Sequence, residues 1–514
     1  MVSAILVLLQ LALAALVAHV IYCCYFHPLA RYPGPFLARV TNIWGFTSFL
    51  RGQHHLSEES LHRKHGPVVR VAPNWLSFSR LEDFEAIYGI NKAIEKGDFY
   101  AFGQKRSQSE ASVFAAKSNP VHRQKKRKML GPALTSSKVV RYEPIITRHV
   151  AGLVARLDAL QQEQADGSLT GGGAVNVAPL VHRFTVDVML DILFGSAVGP
   201  RPYTDGDGDD DGAGDICTDL RRVSKMAWSC SLWPAFGWVM NSHLVNACIR
   251  RASYNAEGAP IGLTGLMSRG YAAIVMSPEK FAVESQPGIV KSWLEVSGGD
   301  AHRMTRSEAM AEAFNLVFAG PGSMAAVLTA VLYQLGLPEG RMWQEKLRDE
   351  PLLLHESSTD ASQSIELQAV IKETMRVRSA FPTAFPRVIM PGAESAIPGL
   401  HSPLPAGTTV SANTYVLGRS REIWGDDADQ WKPQRWLGDQ DHRRRMENKF
   451  VAFSKGPRGC SGKELASLIL AKAVMAIAHR WRITSAAELR GRSYLEMQYD
   501  DCRLSFTQLS PVTS

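Results

Sequence analysis

The sequence predicts a mainly α chain with small β-sheets (α+β), folded as one large domain behind a single N-terminal transmembrane helix. Three observations predict it. Val2 to Phe26 is a run of 25 residues without Asp, Glu, Lys or Arg. Helical spacing of Leu, Val and Ala dominates from residue 121 to 345 and is clearest in 143–160 and 179–196. Strand-like alternation is confined to short stretches such as 68–79 and 405–417.

As a helix the N-terminal run is about 37 Å long at about 1.5 Å per residue, enough to cross a bilayer with some tilt. A cleaved signal peptide is the alternative; the missing basic n-region and an apolar run beyond about 15 residues argue against it. Arg31, Arg39 and Arg51 precede the first acid, Glu58, so the following domain is expected on the cytoplasmic side. Prolines 28, 33 and 35 exclude helix from His27–Pro35 and predict a stiff, extended hinge over 27–36 that sets the domain against the membrane. VVRVAPNWLSFS, 68–79, reads as a hairpin around Pro-Asn. No Pro/Gly/Ser-rich linker or internal repeat divides the rest, so residues 37–514 are expected to form one domain after an anchor over 1–26.

The composition, 45% hydrophobic and 21% charged over 514 residues, suits a large buried core. A net charge of +8 is modest for this length. It fits an anionic membrane surface or an acidic protein partner; no zinc-finger spacing or aromatic-interleaved basic motif points to nucleic acid. Seven irregularly spaced cysteines do not make a disulfide framework. The acidic run Asp205–Gly212 is not a calcium loop, because Asp210 and Ile216 stand where glycine and glutamate are needed; a solvated loop is expected.

One cysteine has unusual neighbours. Phe453-Ser-Lys-Gly456-Pro-Arg458-Gly-Cys460-Ser-Gly462 puts it among three glycines and two basic residues, directly before the apolar helical stretch Gly462–Ala478. Glycines 456, 459 and 462 permit positive φ and close backbone approach, so amide N–H groups can face the sulfur. A helix N-terminus and Arg458 both favour an anion there. A lone thiolate with one open face suits axial ligation of a haem iron. A catalytic nucleophile would need a base, and His479 lies about five turns away along the same helix. An inert cysteine in a glycine-rich turn is the third reading.

FSKGPRGCSG resembles the haem-binding loop of the cytochrome P450 superfamily, F-x-x-G-x-R-x-C-x-G. Lys372-Glu373-Thr-Met-Arg376 is similar to the family's E-x-x-R, and Trp431-Lys-Pro-Gln-Arg435-Trp436 to the segment whose arginine completes a Glu–Arg–Arg network. Phe318-Ala319-Gly320-Pro321-Gly322-Ser323 falls where the oxygen-binding helix is expected, and 62–74 looks like microsomal fungal members. The likeness covers nearly the whole chain.

That resemblance implies a haem-thiolate fold with haem b on Cys460, seated by Phe453, Gly456 and Gly462. It implies propionate contacts from Arg458 and Arg387, and from His122 and Lys126, which stand in the family's W-x-x-x-R frame with both residues changed. Arg123, Lys125 and Arg127 would lie on other helix faces, open to an acidic reductase or to solvent alone. Glu373, Arg376 and Arg435 are implied as a structural network.

The implied reaction is insertion of one oxygen atom of O2 into a small lipophilic substrate in fungal secondary metabolism. NADPH would act indirectly, through an NADPH-cytochrome reductase, with cytochrome b5 as a second donor and the endoplasmic reticulum membrane as the location. Phe314, Phe318, Thr383 and Phe385, with residues near 99–116, are the expected pocket walls. A haem-thiolate isomerase, dehydratase or peroxide-using enzyme is the alternative, and a haem carrier without turnover the third class.

The oxygen-activating helix departs from the family's A-G-x-(D/E)-T. Ala319, Gly320 and the alcohol Ser323 are kept, but Gly322 replaces the acid. Pro321 removes an N–H and frees the Val317 carbonyl, so a kinked helix with an opened groove is expected.

Overall fold

The computed structural model describes residues 2–90, 94–101, 111–165, 174–195, 216–240, 242–252, 288–295, 303–350, 364–394 and 402–509, with isolated residues between. The acidic run at 205–212 and the pocket-wall candidates at 102–110 lie outside them. Eight helices of thirteen residues or more are labelled here: α1 Val2–Ile21, α2 Asn119–Ala133, α3 Glu143–Ala165, α4 Ala178–Phe194, α5 Ile216–Leu232, α6 Arg306–Gly336, α7 Ile365–Val377 and α8 Lys463–Arg480.

Among the described residues two helical stretches are long and apolar enough to cross a membrane, Ala4–Phe26 and α6. Burial separates them. The first exposes its leucines, Leu8 at 66%, whereas α6 is mostly enclosed by protein. α6 is therefore the central core helix, packed against α4, α7 and α8. A capping box starts it: Thr305 Oγ1 accepts from the Glu308 N–H at 3.1 Å, and Glu308 Oε2 accepts from the Thr305 N–H at 2.9 Å. The helix runs unbroken through Pro321 to Gly336. Helical structure continues past Pro321 because the neighbouring helices bury most of α6 from Met324 onward, and that packing outweighs one lost backbone bond.

The expected hairpin forms as β1 Val68–Ala72 and β2 Trp75–Phe78. It joins β3 Ile94–Glu95, β5 Arg387–Ile389 and β6 Thr409–Ala412 in a five-stranded sheet ordered β1-β2-β6-β5-β3, with β2 and β6 parallel. Strand character in 405–417 ends at Ala412. Asn413 then caps a short helix, Thr414–Gly418, by accepting from the Tyr415 N–H at 2.9 Å. β4 Val175–Asn176, β10 Arg503–Gln508 and β7 Trp481–Ser485 make a second sheet, and β8 Gly491–Ser493 pairs with β9 Met497–Tyr499.

The segment 27–36 is not an extended spacer. It turns at 28–31 and docks on β1, with Leu29 and Tyr32 buried. The Arg70 N–H donates to the Pro33 carbonyl at 2.7 Å, and the Arg70 guanidinium donates to the Cys23 carbonyl at 2.9 Å. At Gly34 a Cβ would stand 2.2 Å from the Arg70 carbonyl oxygen, so only glycine allows this approach. The end of the N-terminal helix is thus fixed to the first sheet.

Candidate active site

The cysteine loop is built by its backbone. Gly456 adopts φ +68°, where a Cβ would lie 2.3 Å from the Tyr88 carbonyl oxygen. Gly459 and Gly462 keep negative φ, so of the three glycines only Gly456 uses left-handed freedom; Ser454, at φ 58°, is the other such residue in the loop. The Cys460 N–H donates to the Phe453 carbonyl at 2.8 Å and closes the loop. The N–H groups of Gly462 and Lys463, at the start of α8, donate to the sulfur.

Cys460 combines an interior position with an accessible surface, as expected of a side chain on a cavity wall. Burial pushes its thiol up, and the two amides, Lys126 and Lys463 pull it down, leaving it above the ordinary range. A metal cation bound at the sulfur would add the charge that favours the thiolate. His479 is no base for it. Its ring engages the Met475 and Glu350 carbonyls, at 3.0 and 2.8 Å.

Positive charge gathers around the loop. Arg458 donates to Asn119 Oδ1 at 3.0 Å and to the Ala116 and Lys117 carbonyls at 2.8 and 2.5 Å. Lys126 Nζ reaches back from α2 to the Pro457 and Gly459 carbonyls, at 2.9 and 2.7 Å. Arg387 donates to Tyr100 Oη at 2.6 Å and to the Phe385 and Pro386 carbonyls. Lys96 donates to the Phe114 carbonyl and lies over the Tyr100 and Phe114 rings, 4.6 and 4.8 Å from their centres.

His122 is buried, and its Nδ1 has no partner. Burial, with Arg458, Lys96, Lys126 and Arg387 nearby, pushes its imidazole down to about 2. Burial, then Arg387, holds Arg458 down at about 10. Among the described residues none of these five groups has a carboxylate within ion-pair distance. Such a cluster fits a dianion, as the two propionates of haem b would supply if Cys460 held its iron. Lys125 departs from expectation: it is buried beside Glu308 at 3.8 Å, so only Arg123 and Arg127 of the three remain exposed.

α6 presents Ala319, Gly320 and Ser323 as half-buried residues. The Ser323 hydroxyl donates to the Ala319 and Gly320 carbonyls at 2.8 and 3.0 Å. Phe314, 41% exposed, stacks on Phe318 at 6.3 Å. Phe318 and Phe385 share an aromatic cluster with Phe99, Phe114, Trp228 and Phe381. Thr383 sits behind this wall: its hydroxyl is buried and donates to the Leu495 carbonyl at 2.8 Å. Sequence reasoning missed Trp228 on α5, Lys96, and two buried glutamates, Glu312 and Glu496. Burial raises Glu312 to about 7, although its carboxylate accepts from the Val113 N–H at 2.6 Å. No short-range motif marks these residues.

The structural network closes around one carboxylate. Glu373 accepts from Arg376 at 2.8 and 2.7 Å, Arg435 at 3.3 Å, Trp436 Nε1 at 3.0 Å and the Lys432 N–H at 2.8 Å.

Comparison with known proteins bears on this arrangement. Residues 33–203 and 285–490 match the family model described as Cytochrome P450. The chain is 27% identical to the cytochrome P450 monooxygenase cicH of Emericella nidulans, over 88% of each protein. It is 26% identical to mfmA of Annulohypoxylon moriforme, a cytochrome P450 monooxygenase, over 87% of this chain and 85% of that protein. It is 27% identical to the cytochrome P450 monooxygenase mpaDE of Penicillium roqueforti, over 88% of this chain; there the chain spans about half, 52%, of the relative's length.

Proposed function

The chain belongs to the cytochrome P450 family, and from that premise we propose that it is a haem-dependent monooxygenase acting on a small lipophilic molecule in fungal secondary metabolism. The observation that carries this reading is the accessible Cys460 sulfur, held by two helix amides beside a buried cationic cluster. Haem b bound there would supply reductive activation of O2, with the thiolate donating electron density. The chain's residues do the rest. Gly456 and the Cys460–Phe453 hydrogen bond fix the sulfur, and Arg458, Arg387, Lys126 and Lys96 offset propionate charge. His122, kept neutral, offers a hydrogen bond. The cluster of Phe318, Phe385 and Trp228 excludes water and receives an apolar substrate. Ser323 on α6 would supply an exchangeable proton.

Electrons are proposed to come from NADPH through a reductase docking on the side of Arg123 and Arg127. The helix Ala4–Phe26 is proposed to anchor the chain in the endoplasmic reticulum membrane with the body cytoplasmic. Deleting residues 1–26 is expected to release the protein only partly, because Phe36, Leu37 and Ile43 remain exposed. Carbonate extraction measures the released fraction, and protease protection of the body in sealed microsomes would reverse the orientation.

The functional test is product formed per NADPH consumed with a supplied reductase. Ser323→Ala is expected to keep haem and substrate binding and to lower that ratio by about tenfold or more, the lower range of a lost proton-transfer group being about 100-fold before water substitutes. Product without NADPH would move the protein to the isomerase or peroxide-using class.

A further inference from the structure

The turn of α6 that carries Ser323 is covered on one side by a carboxyl group from a distant part of the chain. A Cβ at Gly322 would stand 3.0 Å from Glu496 Cγ and 3.2 Å from its Oε1. Glu496 lies in the turn between β8 and β9 and is 5% exposed. Its Oε1 accepts from Gln498 Nε2 at 2.9 Å, while Oε2 has no hydrogen-bond partner. The carboxyl borders a cavity of about 20 Å³ that is also lined by Gly322, Thr329, His182, Arg221 and Gln498. That is room for a water, which needs about 10–15 Å³. On the outer side Arg221 donates to the exposed Asp500 at 2.8 Å, so the cavity lies one residue from solvent.

We propose that Glu496 is the proton reservoir for Ser323, standing against the position where α6 carries glycine. The proposal rests on the monooxygenase reading. Burial is the largest influence on the Glu496 carboxyl and raises it, opposed by Gln498, Arg221 and Ser224, so the group holds its proton to higher pH than a solvated glutamate. The ionisable groups lining the cavity with it are His182 from α4, Arg221 from α5 and Tyr499 from β9, whose hydroxyl burial also raises; α6 contributes the uncharged Gly322, Ala325, Ala326 and Thr329, and β9 also Gln498.

In the step, Glu496 gives its proton to the cavity water, and that water passes one of its own hydrogens towards Ser323 Oγ. The hydroxyl releases its original hydrogen to the reacting face, and Oε2 is reprotonated from solvent along the Arg221–Asp500 edge. Each group ends as it began, and one proton has moved inward. Glu496 acts through Ser323 and is a positioning residue in this sense.

Glu496→Gln keeps the shape and an acceptor for Gln498. It is expected to lower product per NADPH at least fivefold and to flatten the pH profile of that ratio, which in the wild type falls as pH rises through the carboxyl titration. Glu496→Asp should recover part of both. Without turnover, the infrared difference between resting wild type and Glu496→Gln should show a protonated carboxyl stretch that the variant lacks and that fades as the pH is raised. Gly322→Asp sets two acids against each other and should lower the melting temperature, and Gly322→Asp/Glu496→Ala should restore it.

Wild-type coupling and pH profile in Glu496→Gln, or no carboxyl band, would overturn the proposal. Equal melting of Gly322→Asp and wild type would overturn the contact it depends on. A wild-type protein that consumes no NADPH would instead remove the monooxygenase reading, while the infrared band and the melting pair still report on Glu496.

Discussion

Replacing Cys460 with serine is expected to abolish the red-shifted Soret band of the reduced, carbon monoxide-treated protein while leaving the fold in place. The separation of the two effects follows from the loop. What holds residues 453–462 is main chain: the Cys460 N–H to Phe453, the 3-10 turn Gly456–Arg458, and the tight approach of Gly456 to Tyr88. Serine keeps every one of these. The Gly462 and Lys463 amides that face the sulfur are donors, which a hydroxyl oxygen also satisfies. Serine cannot supply the soft anionic ligand, so the spectral signature and activity should be lost essentially completely. Circular dichroism and the urea midpoint should move little, about 1 kcal/mol or less for a substitution that preserves hydrogen bonding. A thiolate-type spectrum in Cys460→Ser would assign the ligand to another cysteine. None of the remaining six stands in such a loop, and none of the seven is disulfide-bonded.

What could be read from the sequence divides by the distance over which residues act. The cysteine loop, Glu373 with Arg376, the hairpin at 68–78 and the N-terminal apolar helix are local patterns, and each formed where its spacing put it. The failures are tertiary. Pro321 costs α6 a backbone bond, and it is the burial of the following turns by distant helices that keeps the chain helical beyond it. The prolines of 27–36 predict an extended spacer, yet Arg70, more than thirty residues on, folds the segment onto a sheet. Lys125 looks like one more surface cation until Glu308 is found beside it. Lys96 and Glu496 join the site only because strands and loops bring residues 96, 387 and 496 to helices α2 and α6. Their neighbours in sequence say nothing about it.

The second large effect is expected from Glu373→Gln, and it should be the reverse of the first: the fold fails before any spectrum can be recorded. Glu373 is fully buried and takes five donors on two oxygens, which exceeds the about four lone-pair sites of a carboxylate. Glutamine replaces one acceptor oxygen with an NH2 that points at guanidinium donors. Arg376, buried among the Gly418, Ala428 and Gln430 carbonyls, then keeps its charge without a counter-ion. Breaking a buried pair from one side costs about 3–5 kcal/mol, a large part of a total stability of about 5–15 kcal/mol. The damage reaches the cysteine loop by contact: Glu373 accepts from Trp436, whose ring meets Phe450 at 5.3 Å, and Phe450 meets Phe453 at 6.2 Å. Arg435→Lys should be milder, because Arg435 is partly exposed and also paired with Asp427. The measurement is the urea midpoint together with haem per polypeptide. Glu373→Gln should lose both, Cys460→Ser only the thiolate spectrum, and a Glu373→Gln protein with wild-type midpoint would show that the network carries no stability.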